Sequence, residues 1–99
     1  ISTKLNIVVT LAKMGEYDST GTYFTENEKK VIKEEMLKMI RDKDENMRRV
    51  AVMGLGYFGD TSTISILNEI KISDPYCAIN GRYYVRMEAE KAINKIMKR

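Results

Sequence analysis

One pattern of residues occurs twice at a spacing of 38 positions, and it constrains the fold of this chain more than any other feature. Met47-Arg48, Ala51, Leu55 and Phe58 recur in the same order as Val85-Arg86, Ala89, Ile93 and Ile96. Small and apolar residues at steps of three and four lie on one face of an α-helix. A unit that recurs at this period predicts a helical array in which each unit buries its apolar face against the next.

A third, partial copy lies 44 positions before the first complete one. Leu11, Met14 and Gly15 correspond to Leu55, Phe58 and Gly59. The two spacings differ because of two loops, 16–24 and 75–82. Insertions in loops are tolerated by repeat arrays, so the unequal spacing agrees with a repeat.

The apolar periodicity predicts five helices, at about 3–14, 26–41, 45–58, 62–72 and 84–97. Thr25 and Glu28 have the spacing of a capping box at the start of the second helix. Asp74-Pro75 ends the fourth helix. Gly54 and Gly56 fall within the third helical pattern, so we interpret them as sites of close helix packing and not as a phosphate-binding loop. No segment alternates as a strand should, and no linker divides residues 1–99 into two domains.

The repeated residues resemble the signature of HEAT-like repeats of the short type named after phycobilisome lyases. Met47-Arg48, Ala51, Leu55 and Gly59-Asp60 carry the first match, and Asp74-Pro75, Val85-Arg86, Ala89 and Ile93 carry the second, with an insertion after Pro75. The resemblance implies an all-α fold, an α-solenoid of antiparallel helix pairs with about two and a half repeats. Such a unit is either a fragment of a longer solenoid or a homo-oligomer that pairs through its open terminal repeats.

The same resemblance implies ion pairs that tie neighbouring repeats together. An arginine near the start of one helix pairs with an aspartate of an inter-repeat loop. Arg48 would pair with Asp42 or Asp44, and Arg86 with Asp74. Guanidinium and carboxylate groups form strong, oriented hydrogen bonds in a partly shielded turn.

The resemblance also implies a function, which is that of a non-catalytic scaffold binding another protein. The binding surface of such a solenoid comes from the second helix of each pair, here helices two and four. The polar residues expected there are Lys29, Lys33, Glu34, Arg41, Asn68, Glu69 and Lys71.

An alternative function is nucleic-acid binding through the basic C-terminal helix. Its expected contacts are Arg82, Lys91, Lys95 and Lys98. The net charge of +3 is too small to indicate this function by itself, and acidic and basic residues alternate elsewhere. A bilin-lyase-like or other enzyme-accessory role is a third alternative, for which no particular residue argues.

Two scarce residue types exclude several kinds of enzyme. The chain has no histidine and only one cysteine, Cys77, which excludes histidine-based triads and histidine-ligated zinc. We therefore expect no catalytic, cofactor-binding or metal-binding residues. No apolar run approaches the roughly 20 residues that span a bilayer. The free cysteine and the lack of a signal-peptide pattern favour a cytoplasmic location.

Overall fold

The computed structural model describes residues 10–15 and 24–98 of the chain. These residues are all-helical and contain no strand. Residues 10–15 are helical (α1), and α2 (Glu26–Met39), α3 (Glu45–Phe58), α4 (Ile64–Ser73) and α5 (Tyr84–Met97) follow. One turn of 3-10 helix, Thr61–Thr63, precedes α4. The expectation of an all-α chain is therefore confirmed for these residues.

The ends of the helices follow from side chains that satisfy the free backbone groups there. Thr25 and Glu28 form the predicted capping box, with Oγ1 of Thr25 accepting from the Glu28 amide at 3.1 Å and Oε1 of Glu28 accepting from the Thr25 amide at 2.8 Å. Asp44 caps α3 by accepting from the Asn46 amide at 2.8 Å. Asp60 accepts from the Ser62 amide at 3.0 Å and starts the 3-10 turn.

The predicted bounds are correct for α3 and α5 and wrong for α2 and α4. The second helix ends at Met39, two residues before Arg41, because the Asp42 amide bonds the Met39 carbonyl in a tighter turn. The fourth α-helix begins at Ile64 because residues 61–63 form the 3-10 turn, in which the Thr63 hydroxyl donates to the Asp60 carbonyl at 2.6 Å. Residues 3–9 of the predicted first helix lie outside the described residues.

The third helix lies in the centre of the described structure. Its residues Ala51, Val52 and Leu55 are fully buried. Gly54 and Gly56 lie on opposite sides of α3, and at each the missing side chain lets a neighbouring helix come close. A Cβ atom on Gly54 would meet the end of the Met36 side chain and lie 3.7 Å from Ala12 Cβ, whereas one on Gly56 would lie 3.2 Å from Ala92 Cα. The prediction of close packing at these two glycines is therefore confirmed.

The contacts between α3 and α5 have the register of the sequence repeat. Gly56 meets Ala92, and Lys95 Nζ lies 4.7 Å from the centre of the Tyr57 ring. At the other end, Arg48 and Arg86 both bond to Asp74. The two helices are therefore parallel, and residues in contact are separated by nearly the 38 positions that separate the two copies of the pattern.

The helix α1 approaches the other side of α3 in the same manner. A Cβ on Gly15 would lie 2.7 Å from the Phe58 ring, and Ala12 lies opposite Gly54. These separations of 42 and 43 positions are close to the spacing of 44 between the partial copy and the complete one. The described part of α1 and the helices α3 and α5 thus run in one direction.

The helices α2 and α4 run against this direction. The close neighbours of α2 and α4 are α3 and α5, respectively. Lys33 of α2 contacts Asp60, which follows the end of α3. Asp42, which follows α2, accepts through its carbonyl from Arg48 near the start of α3. The helices α2 and α3 are therefore antiparallel. Although α3 and α4 are consecutive, they are not close neighbours along their length.

Candidate functional site

The most buried charged group in the described residues is the carboxylate of Asp74, which follows α4. It accepts from Arg48 Nε at 2.9 Å, from Arg48 Nη2 at 3.3 Å and from the Tyr76 amide at 3.1 Å. The side chains of Arg48 and Asp74 are only 12% and 4% exposed. Because burial removes a carboxylate from water, these three bonds replace its hydration.

The predicted partners of both arginines need correction. Arg48 pairs with the carboxylate of Asp74 and not with that of Asp42 or Asp44. The carboxylates of Asp42 and Asp44 accept from nearby backbone amides, at 2.9 and 2.8 Å. In this loop Arg48 donates to the main-chain carbonyls of Asp42, at 2.8 Å, and of Lys43, at 3.1 Å.

Arg86 also reaches Asp74, but through the backbone. Its Nε donates to the Asp74 carbonyl oxygen at 2.7 Å, and its guanidinium lies 4.0 Å from the centre of the Tyr83 ring. One aspartate therefore connects the two equivalent arginines of the repeat. The end of α4 is held against α3 through the side chain of Asp74 and against α5 through its carbonyl, which makes this cluster structural.

Two of the predicted partner-binding residues, one just after α2 and one on α4, contact each other. Arg41 Nη2, just after α2, lies 3.8 Å from Glu69 Oε2 of α4, with both side chains about two-thirds exposed. The α2–α4 surface, as we name it, is the exposed side of the two helices at this contact, with Glu34, Arg41, Asn68 and Glu69; Lys71 is also exposed, but its spacing from Glu69 places it on another side of α4. The structure thus brings Arg41 and Glu69 together, although 28 positions separate them in the sequence.

The other two predicted residues, Lys29 and Lys33, lie elsewhere. They line an open cleft of about 420 Å³ between α2 and the end of α3. We call it the Tyr57 cleft, and its lining residues are Glu26, Lys29, Lys30, Lys33, Tyr57, Phe58, Gly59 and Asp60. Sequence reasoning missed this grouping, although the spacing of Lys29 and Lys33 by four positions already placed them on one side of α2.

The cleft carries more positive than negative charge. Lys33 Nζ lies 3.2 Å from Asp60 Oδ2, and Lys29 Nζ lies 3.6 Å from Glu26 Oε1. A hydrogen bond from Ser62, followed by one from Lys33, lowers the pKa of Asp60 below its usual value of 3.8, so that this carboxylate stays ionised. Lys30 forms no ion pair with another described residue.

The residues predicted for nucleic-acid binding are not at one place. Arg82 precedes α5, whereas Lys98 follows it. The spacing of Lys91, Lys95 and Lys98 places them on one side of α5, and Lys91 pairs with Glu88 at 3.4 Å. Lys95 covers the Tyr57 ring near the end of α5, whereas Arg82 lies before the start of that helix.

Two further features of the described residues bear on function. No group of histidine, cysteine, aspartate and glutamate side chains among them has the arrangement of a metal site. In the same residues, none of the helices has the length and apolar character that crossing a membrane requires. Cys77, in the loop between α4 and α5, is exposed.

Comparison with known proteins gives no match. None of the models of known protein families, the curated proteins and the solved structures is significantly similar to this chain.

Proposed function

We propose that this chain is a HEAT-like helical-repeat scaffold, without catalytic activity, that binds a protein through its α2–α4 surface. The repeat supports this architecture because the contacts of α3 with α5 and with α1 have nearly the spacing of the sequence copies. Equivalent helices that lie parallel at constant register are the arrangement of a solenoid, in which each repeat contacts its neighbours.

The observation that carries the binding proposal is the approach of Arg41 to Glu69. It makes α2 and α4 contribute to a single surface, which Glu34, seven positions before Arg41, extends along α2. Beside it, Ile72 is 71% exposed on α4. Protein interfaces combine an apolar centre with a polar rim, and this surface offers both in a small area.

Site-specific photocrosslinking tests this proposal. A photoreactive phenylalanine analogue replaces Glu34 or Asn68 in separate variants, and a third variant carries it at the exposed Glu90 of α5 as the matched control. Each variant is irradiated in nuclease-treated lysate of the source cell. We expect one protein to be crosslinked from positions 34 and 68 and not from position 90.

Two results would contradict the proposal. Equal crosslinking from all three positions would show that the contact is unspecific. Crosslinking from position 90 alone would place the partner on α5, away from the α2–α4 surface.

A further inference from the structure

We propose that the exposed side of α5 binds a second copy of this chain, as a symmetric and antiparallel pair of α5 helices. This contact shares no residue with the α2–α4 surface. It therefore goes beyond the proposed function and does not depend on it.

A line of exposed residues, which we name the α5 stripe, runs along the solvent side of α5 from the residue that precedes it. Its members recur at steps of four and three and are Tyr83, Met87, Glu90, Asn94 and Met97. Of the six large apolar side chains that are exposed in the described residues, three belong to this stripe, and that of Met97 is 69% exposed. Steps of four and three are the spacing at which one helix packs along another in a coiled coil. The stripe therefore has the shape of a helix-binding surface.

The order of side chains along the stripe is complementary to itself in one antiparallel register. Position 92 is the midpoint between Glu90 and Asn94 and also between Met87 and Met97. A two-fold axis at that level sets Glu90 of one copy against Asn94 of the other, and Met87 against Met97. The Asn94 amide can then donate to the Glu90 carboxylate, which only accepts, and the symmetry makes each of these contacts twice.

The neighbouring registers do not offer this match. A parallel pair sets Glu90 against Glu90, and like charges at a closed contact repel each other. An antiparallel pair shifted by seven positions sets Met87 against Glu90 and leaves that carboxylate without a hydrogen-bond donor, which costs free energy. The chemistry of the stripe thus selects a second copy in a single arrangement as its occupant.

The size and charge of the contact make the dimer weak. The helix α5 has 14 residues and is about 21 Å long, so one pair of such helices buries less than the about 1,200–2,000 Å² of stable interfaces. Each copy also carries a net charge of +3, and Lys91 and Lys98 are exposed at one edge of the stripe. The expected dissociation constant therefore lies between about 10 μM and 1 mM.

Sedimentation equilibrium measures this constant over the same range of protein concentration. The unchanged chain is compared with N94E, N94K and the double variant E90K/N94E. The matched controls are N27E and N27K, because Asn27 is exposed on α2, whose close neighbour is α3. Circular dichroism checks that each variant is folded.

The variants at position 94 should act in opposite directions. N94E sets two carboxylates against each other at both symmetric contacts, so the dissociation constant should rise about tenfold or more. N94K sets a lysine against Glu90, so the constant should fall about threefold or more. The exchange E90K/N94E again pairs opposite charges and should restore the dimer. Net charge alone predicts the reverse for the single variants, because N94E lowers it from +3 to +2 and N94K raises it from +3 to +4.

Three results would overturn the inference. The unchanged chain could stay monomeric up to about 1 mM, N94K could weaken the dimer, or the variants at Asn27 could change the constant as much as those at Asn94. None of these results bears on the α2–α4 surface. In the crosslinking test, a product of two copies joined from position 90 has twice the mass of the chain and is thereby distinguished from a product with another protein.

Discussion

Replacing Asp74 by alanine should destabilise this chain more than any other single change to a charged side chain of the described residues. The carboxylate accepts two hydrogen bonds from Arg48 and one from the Tyr76 amide. Asp74 lies after the last residue of α4, so helix propensity contributes little to the effect. Alanine leaves the guanidinium of Arg48, which is 12% exposed, with only the carbonyls of Asp42 and Lys43 as partners.

The expected loss can be worked out from this geometry. Removing one partner of a buried ion pair costs about 3–5 kcal/mol, because the other charge stays buried without compensation. The two remaining carbonyl contacts of Arg48 place the value near the lower limit, at about 3 kcal/mol. For a domain with a total stability of about 5–15 kcal/mol this is a large fraction, and the melting temperature should fall by about 12 °C or more.

The assay is urea unfolding followed by circular dichroism, with Glu69→Ala as the matched control. The Arg41–Glu69 pair is 3.8 Å long and its side chains are 69% and 66% exposed. Removing it should cost at most about 0.5 kcal/mol. Asp74→Asn keeps an acceptor for the Tyr76 amide, so its decrease in the free energy of unfolding should lie between those of Asp74→Ala and Glu69→Ala. If Asp74→Ala costs less than about 1 kcal/mol, or no more than Glu69→Ala, then the cluster does not join the helices as we argue.

Two further predictions concern the packing of α3 and the pH dependence of stability. Gly56→Val should lower the free energy of unfolding by about 2 kcal/mol. A Cβ there would lie 3.2 Å from Ala92 Cα, and the backbone cannot move aside as a side chain can. Urea unfolding measures this loss, and an unchanged midpoint would contradict the close approach of α3 and α5. Asp60 has a lowered pKa in the folded chain, so its contribution to stability is present above its ordinary pKa of 3.8 and is lost as the pH falls through the folded value. Asp60→Asn should therefore be less stable than the unchanged chain near neutral pH and should approach it in acid. Urea midpoints between about pH 5 and pH 2 measure this, and a gap that stays constant over the range would refute it.

The helices α3 and α5 could be predicted from the sequence to the residue, and the reason is that several signals coincide there. Apolar residues recur at helical spacing through Leu55 and Ile93. Asp44 gives α3 a clear start, and Gly59 gives it a clear end. The bounds of α4 were wrong because Asp60 and Thr63 bond to the backbone of a 3-10 turn, and sequence spacing does not distinguish that turn from the first turn of an α-helix.

The partner of Arg48 could not be predicted, because local bonds decide it. Asp42 and Asp44 are close in sequence, but their carboxylates bond to nearby amides, as short acidic side chains often do. Asp74 is 26 positions away from Arg48, and only the packing of α4 against α5 brings it near. The Tyr57 cleft was missed for the same reason, since lysines of α2 and residues at the end of α3 line it together only after the two helices have packed.

The side of α3 that α5 covers differs in chemistry from the equivalent side of α5. The side of α3 that receives α5 carries Gly56 and, one turn earlier, Val52, and both are buried. Their equivalents in α5, 38 positions on, are Asn94 and Glu90, and both are exposed. A helix that packed on α5 as α5 packs on α3 would bury a carboxylate and an amide, which costs free energy unless new partners satisfy them. A homo-oligomer or a further repeat that covers α5 must therefore bring hydrogen-bond donors to Glu90 and Asn94, whereas the contact between α3 and α5 needs only small side chains.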